Sequence, residues 1–167
     1  MKLILALALA SFSIAATAQN TIKTKYFEID APEGWVLMDA ASSPMTEATL
    51  VNNSEESDGF DENLTLVLED IPSPKVSLDS YSEFSEKRLE KGLADFKLLG
   101  SEKVKVDGKP AIHRTFTGSQ GEMNLWFSQF IFIRKGQAHV YTFTSLGDLS
   151  EEDKKALTDL GFSLKLF

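Results

Sequence analysis

The chain has 167 residues, with 17 lysines and arginines against 25 aspartates and glutamates, for a net charge of −8. That length suits one domain with a full hydrophobic core. The absence of cysteine excludes disulfides, thiolate chemistry and a lipid anchor on an N-terminal cysteine, and the negative charge argues against nucleic acid and anionic membrane surfaces as partners.

Residues 1–18 have the three parts of a cleavable secretory signal peptide: Lys2, the apolar run Leu3 to Ala10, and the small-x-small triplet Ala16-Thr17-Ala18. Cleavage before Gln19 leaves 19–167 as a single domain in the periplasm or outside the cell. Ser11, Ser13 and Thr17 interrupt the apolar run short of the roughly 18 residues a membrane anchor needs. The later apolar stretch from Leu125 to Ile133 is broken by Ser128 and Gln129, so no membrane span is expected.

Tyr26 to Ile29 reads as a first strand, turned by Pro32-Glu33-Gly34 into a short segment starting at Trp35. Glu47 to Val51 is a second strand and Leu64 to Leu68 a third, separated by an acidic loop from Ser54 to Asn63. Ser77 caps a helix from Leu78 to Leu93, whose apolar stripe is Leu78, Tyr81, Phe84, Ser85, Leu89 and Leu93. A run of hairpins follows. Val104 and Val106 alternate with lysines, Asp107-Gly108 is a two-residue turn, and Ala111 to Thr117 returns. Gly118 to Gly121 is read as the next turn. Met123 to Arg134 is then a long strand apolar on both faces, with Leu125, Phe127, Ile131 and Ile133 on one and Trp126, Phe130 and Phe132 on the other. Lys135-Gly136 turns into Ala138 to Ser145. Ser150 with Asp153 opens a last helix to Leu160, with Gly161 at the C′ position. The expected class is α+β: an antiparallel β-sheet covered by helices on both faces.

Candidate chemistry is sparse. With the turn at 118–121, His113 lies opposite Trp126 and His139 opposite Phe132. That sets the two histidines about 20 Å apart along the strands, too far to share a metal. Each is read as an imidazole without a catalytic role. Glu55, Glu56, Asp58, Asp61 and Glu62 offer carboxylates beside Gly59, but their spacing does not match a calcium loop, so a solvated loop is expected. Gly118-Ser119-Gln120-Gly121 lacks the Gly-x-Ser-x-Gly nucleophile pattern. Asn52 and Asn63 head glycosylation sequons, relevant only in a eukaryotic secretory route. Trp35, Trp126, Phe130, Phe132, Tyr141 and Phe143 read as packed core. No catalytic, cofactor or metal residues are assigned.

The stretch Phe27-Glu28-Ile29-Asp30-Ala31-Pro32-Glu33-Gly34-Trp35 resembles the opening strand and Pro-x-Gly-Trp turn of PsbP-like and DcrB-like domains. Asn63 to Val67, Ser77-Leu78 to Tyr81, Asp107 to Ala111, Gln129-Phe130 and Tyr141 to Thr144 follow in the same order. The resemblance spans residues 26 to 166. It implies an α/β/α sandwich around an antiparallel sheet. The family includes extrinsic photosystem II subunits, a nuclear partner of a small GTPase, bacterial envelope lipoproteins and chaperones for secreted effectors. It therefore implies a binding or assembly module of the cell envelope, with a protein partner and no catalytic activity. The alternative is a small-molecule hydrolase using one histidine or carboxylates from different strands.

Overall fold

The computed structural model describes residues 19–38, 46–53 and 60–167. The expected signal peptide and Glu55, Glu56 and Asp58 lie outside the described residues.

Among the described residues, ten strands and two helices follow one another: Gln19–Lys23 (β1), Phe27–Pro32 (β2), Trp35–Leu37 (β3), Thr46–Asn52 (β4), Asn63–Asp70 (β5), Leu78–Gly92 (α1), Ala94–Val106 (β6), Lys109–Gln120 (β7), Met123–Arg134 (β8), Gln137–Leu146 (β9), Glu151–Phe162 (α2) and Lys165–Leu166 (β10). They build two antiparallel sheets. The larger has the order β3-β4-β5-β9-β8-β7-β6, and the smaller has β1-β2-β10. As the hairpin signals require, β8 is interior, between β7 and β9.

Ser77 caps α1 in a reciprocal box with Ser80, each side chain bonding the other residue's backbone N–H. Ser150 caps α2 by accepting from the Asp153 backbone N–H. Gly161 is not a C-cap. It sits within α2, buried against Phe130, and a Cβ there would overlap the Phe130 ring. Glycine is required for close approach of helix to sheet, and Ser163 takes the capping position.

The turn after β7 also differs from expectation. Strand pairing runs through Gly118 and Ser119 to Gln120 opposite Met123, and the chain reverses at Gly121-Glu122. Gly121 supplies the positive φ of 62° that a tight reversal needs. His113 therefore pairs with Phe130, not Trp126, whereas His139 does face Phe132.

Each face of the large sheet packs differently. On one, Leu64, Leu66, Phe130, Phe132, Tyr141 and Phe143 form a core with Phe27 and Ile29 of β2 and with Leu164 and Leu166 at the C-terminus. The small sheet supplies much of this cover, with α2 beside it. On the other face α1 lies over β6, β7 and β8. There Ile131, Ala138 and Val140 pack with Tyr81. Thr65, Thr142, Thr144 and Phe127, farther along that face, are only half-buried. The fold is thus a mostly antiparallel sheet with two helices and an added three-stranded layer. Of the expected α1 stripe, Tyr81 and Ser85 are buried, but Phe84 is 58% exposed and Ser82 is buried instead.

Candidate functional site

The histidines are closer together than the sequence register implied. Tyr141 pairs with Phe130, which pairs with His113, and His139 is two residues from Tyr141. Two strand spacings and two residues make about 12 Å between backbones, still too far for one metal. No group of three or more potential ligand residues could hold a metal ion among the described residues.

His113 is buried, stacked on Phe130 at 4.5 Å, with Nε2 2.9 Å from Ser128 Oγ. Glu102 Oε1 lies 3.6 Å from Nδ1. Burial pushes the His113 pKa down, against the pull of Glu102. Carboxylate, imidazole and hydroxyl are therefore in hydrolase order. Ser128, however, is fully buried, and the Thr158 hydroxyl donates to it from 3.3 Å. A nucleophile must be reached by its substrate. His139 is buried with the Tyr26 ring edge-on at 6.1 Å, and its Nδ1 has no hydrogen-bond partner. Burial, then Arg134 and Lys135, lower its pKa.

One functional-looking group had no signal in the sequence. Arg114 is fully buried on the α1 side of β7. Its Nε and Nη2 donate to Gln129 Oε1, at 2.8 and 2.6 Å, and Nη2 also donates to Ser85 Oγ at 2.7 Å. Nη1 donates to the Ser82 carbonyl at 3.3 Å. Gln129 passes the chain on to Thr142 Oγ1. Burial brings the Arg114 pKa down to about 10, so it stays charged near neutrality. Its neutral partners latch α1 to the sheet and leave the guanidinium enclosed.

Surface clefts are where a ligand could be met. One, about 650 Å³, lies at the β7–β8 turn and includes Asp95, Ser119 and Asn124. Its polar groups engage one another, with Ser119 Oγ 2.8 Å from Asp95 and 2.9 Å from Asn124. Another, about 350 Å³, lies beside Phe84. There Tyr81 and Arg88 both donate to Glu69. A third, about 310 Å³, is chemically unmatched. It opens between the Pro32-Glu33-Gly34-Trp35 turn, the β4–β5 end and α2.

Gly34, at φ 94°, makes that turn possible, and its carbonyl accepts from the Asn53 backbone N–H at 2.9 Å. The turn brings Trp35 in as the first residue of β3, edge-on to Phe143 at 6.4 Å and only 4% exposed. Asn52, paired with Trp35, donates from Nδ2 to Glu62 Oε2 at 3.0 Å. Ser145 Oγ lies 3.5 Å from the other Glu62 oxygen. Leu149, Ala156 and Leu157 form the apolar wall, with Asp153 beside them. Glu33, Glu62 and Asp153 thus line one cleft, and no lysine, arginine or histidine does. None of these carboxylates forms an ion pair among the described residues. Sequence reasoning saw Trp35 only as turn and core and Glu62 only as part of an acidic loop. The signal available was Pro-x-Gly-Trp itself.

A seven-stranded antiparallel sheet, a Pro-x-Gly-Trp entry and two sheet-packed helices define a PsbP-like domain. A DcrB family model matches residues 49–161, and the chain belongs to that family. Its fold is similar to that of the cyanobacterial PsbP protein (CyanoP) of Synechocystis sp. PCC 6803, at 19% identity over 96% of this chain and 98% of that one, with a TM-score of 0.62. It is also similar to the Saccharomyces cerevisiae Ran-binding protein Mog1p, at 10% identity over 86% and 84%, TM-score 0.57. LpqN of Mycobacterium tuberculosis, described as involved in cell envelope biogenesis, is 12% identical over 90% and 91%, TM-score 0.56. No curated protein matches the chain.

Proposed function

We propose that this chain is an exported, non-catalytic binding module of the cell envelope, which docks a protein partner at the Trp35 cleft. The observation that carries the reading is the contrast between that cleft and the histidines. Both imidazoles and Ser128 are buried in the core, while carboxylates without a cationic partner line an open groove. Ligand sites typically combine apolar walls with a few polar groups of fixed orientation.

Export is supported by the signal-like sequence of residues 1–18. Among the described residues no helix is long and apolar enough to cross a membrane. LpqN's envelope role and Mog1p's Ran binding favour assembly over chemistry for the fold. In this reading α1 and α2 layer opposite faces of the sheet, and the groove is the seam where α2 meets the Trp35 turn.

The test places a photo-crosslinking amino acid at Ala156 and exposes the protein to envelope extract of its source organism. A discrete protein adduct, reduced by Glu33→Gln with Glu62→Gln, is expected. Crosslinking only to lipid, or to nothing, ends this reading. A hydrolase built on Glu102, His113 and Ser128 is the second reading. Ester hydrolysis by the wild type, abolished in Ser128→Ala at unchanged melting temperature, would establish it over the first.

A further inference from the structure

We propose that His139 is an acid-sensitive latch between the two sheets: on taking up a proton it loosens the β1–β2–β10 layer from the large sheet, ahead of the β7–β8–β9 centre.

The latch stands first on where the ring sits. His139 shares a face of β9 with Tyr141 and pairs with Phe132 of β8, and both of these neighbours pack against Phe27 and Leu166 in the core beneath the small sheet. Tyr26 meets the imidazole edge-on at 6.1 Å. Tyr26 leads into β2, and its carbonyl accepts from the Phe167 backbone N–H at 2.9 Å. The ring therefore bears on the joint between β2 and β10.

It stands second on what surrounds the ring. An imidazolium carries a proton on both nitrogens and needs an acceptor for each. His139 Nδ1 is buried without a hydrogen-bond partner, and so are Tyr141 Oη and Arg134 Nη1. Arg134 is diagonal to His139 on the same face of the β8–β9 pair, and Lys135 follows it in the turn. The carboxylates on neighbouring elements already have partners. Asp70 of β5, diagonal to His139, is exposed and accepts from Gln137 Nε2 at 2.9 Å. Glu47 of β4 accepts from the Tyr26 hydroxyl at 2.7 Å and pairs with Lys25 at 3.3 Å. Asp107, from the β6–β7 turn, pairs with Lys109 and accepts from the Leu166 backbone N–H. A proton on His139 thus adds a cation near Arg134 and Lys135, and among the described residues no carboxylate pairs with it. His113 is the contrast. It is as buried as His139, but Ser128 Oγ lies 2.9 Å from its Nε2 and Glu102 3.6 Å from its Nδ1.

Burial, then Arg134 and Lys135, hold the seated His139 below its ordinary value of 6.5. In an opened layer the ring meets water and returns to that value. Between the two values opening takes up one proton, so its equilibrium constant rises by up to about tenfold per pH unit of acidification.

Amide hydrogen exchange of the full chain, followed from about pH 7.5 to about pH 5 and expressed as protection relative to unstructured peptide, tests the latch. Below about pH 6.5 the β1 and β2 amides should lose up to about tenfold in protection per pH unit, and the β7–β9 amides less. His139→Gln, which takes up no proton, should remove that pH dependence, whereas His113→Gln should leave it in place. Should His139→Gln perturb folding, Arg134→Gln keeps the test decisive. It should raise the midpoint of the His139 imidazole titration in NMR and shrink the loss of protection. Equal loss in both sheets, a loss that persists in His139→Gln, or a His139 midpoint unmoved by Arg134→Gln overturns the proposal.

Discussion

Arg114 shows how a single residue can hold an element whose own apolar stripe is thin. α1 buries Tyr81, Ser82 and Ser85, and two of these three are serines placed for the guanidinium. Replacing Arg114 with methionine roughly keeps the volume but removes the donors to Gln129 Oε1 and Ser85 Oγ, and should cost about 3 kcal/mol. Combining it with Gln129→Leu should cost less than the two separate losses together, because one network is removed once. Chemical denaturation of the three variants checks this. The histidines make a second residue-scale prediction. Both have pKa values held below the ordinary 6.5 by burial, so the unfolded chain takes up protons before the folded one does. Their contribution is complete above about pH 6.5 and is lost as pH falls through that value toward the lower folded pKa values. Melting temperature should therefore drop as pH falls below about 6.5. His139→Phe should flatten part of that drop, since it removes an imidazole sited near Arg134 and Lys135.

Among the elements, β8 separates what was legible from what was not. Its two apolar faces, its interior place and its partners followed from composition and flanking turns, because hairpin pairing is local. The register was misread because Gly118 looks like a turn residue. In the structure its missing side chain admits Leu93 from the end of α1, a contact that no local pattern encodes. Gly161 misled in the same way, being required by Phe130 and not by helix termination. β8 also yields an asymmetry the sequence did not foresee. Phe132 is 1% exposed beneath the small sheet, whereas Phe127 is half-buried and stacked on Phe116 at 4.7 Å. Phe132→Ala should cost about 3–5 kcal/mol, the range for a large buried aromatic. Phe127→Ala should cost about half as much, since roughly half its surface transfer is at stake. Equal losses in thermal unfolding would mean that the face around Phe127 is covered in solution.

For the whole molecule, the Trp35 cleft and the small sheet share one origin: both join segments far apart in the chain. Glu33, Glu62 and Asp153 meet only once the β4–β5 end and α2 are in place, so no motif could announce the cleft. Likewise β10 pairs with β2 across nearly the full chain, Lys165 with Glu28 and Leu166 with Phe27. Its two residues are too short to show a periodicity, yet the attachment is extensive. Leu164 and Leu166 are buried in the main core. The Leu166 backbone N–H donates to Asp107 Oδ2 at 3.1 Å and its carbonyl accepts from Lys109 Nζ at 3.0 Å, tying the C-terminus to the β6–β7 turn. Lys165 Nζ donates to Glu28 at 2.8 Å. Burial of two leucines alone contributes roughly 3–6 kcal/mol, comparable with the whole stability of a small domain at about 5–15 kcal/mol. Deleting residues 164–167 should therefore unfold the protein or leave it marginal, although none of these residues lines the cleft. Leu164→Ala and Leu166→Ala, about 2–4 kcal/mol each, provide graded versions that still fold. In hydrogen exchange they should release β1 and β2 before the β7–β8–β9 centre, because the small sheet depends on β10 while the large one is closed by its own hairpins. Loss of protection in both sheets together would show instead that the two layers unfold as one cooperative unit.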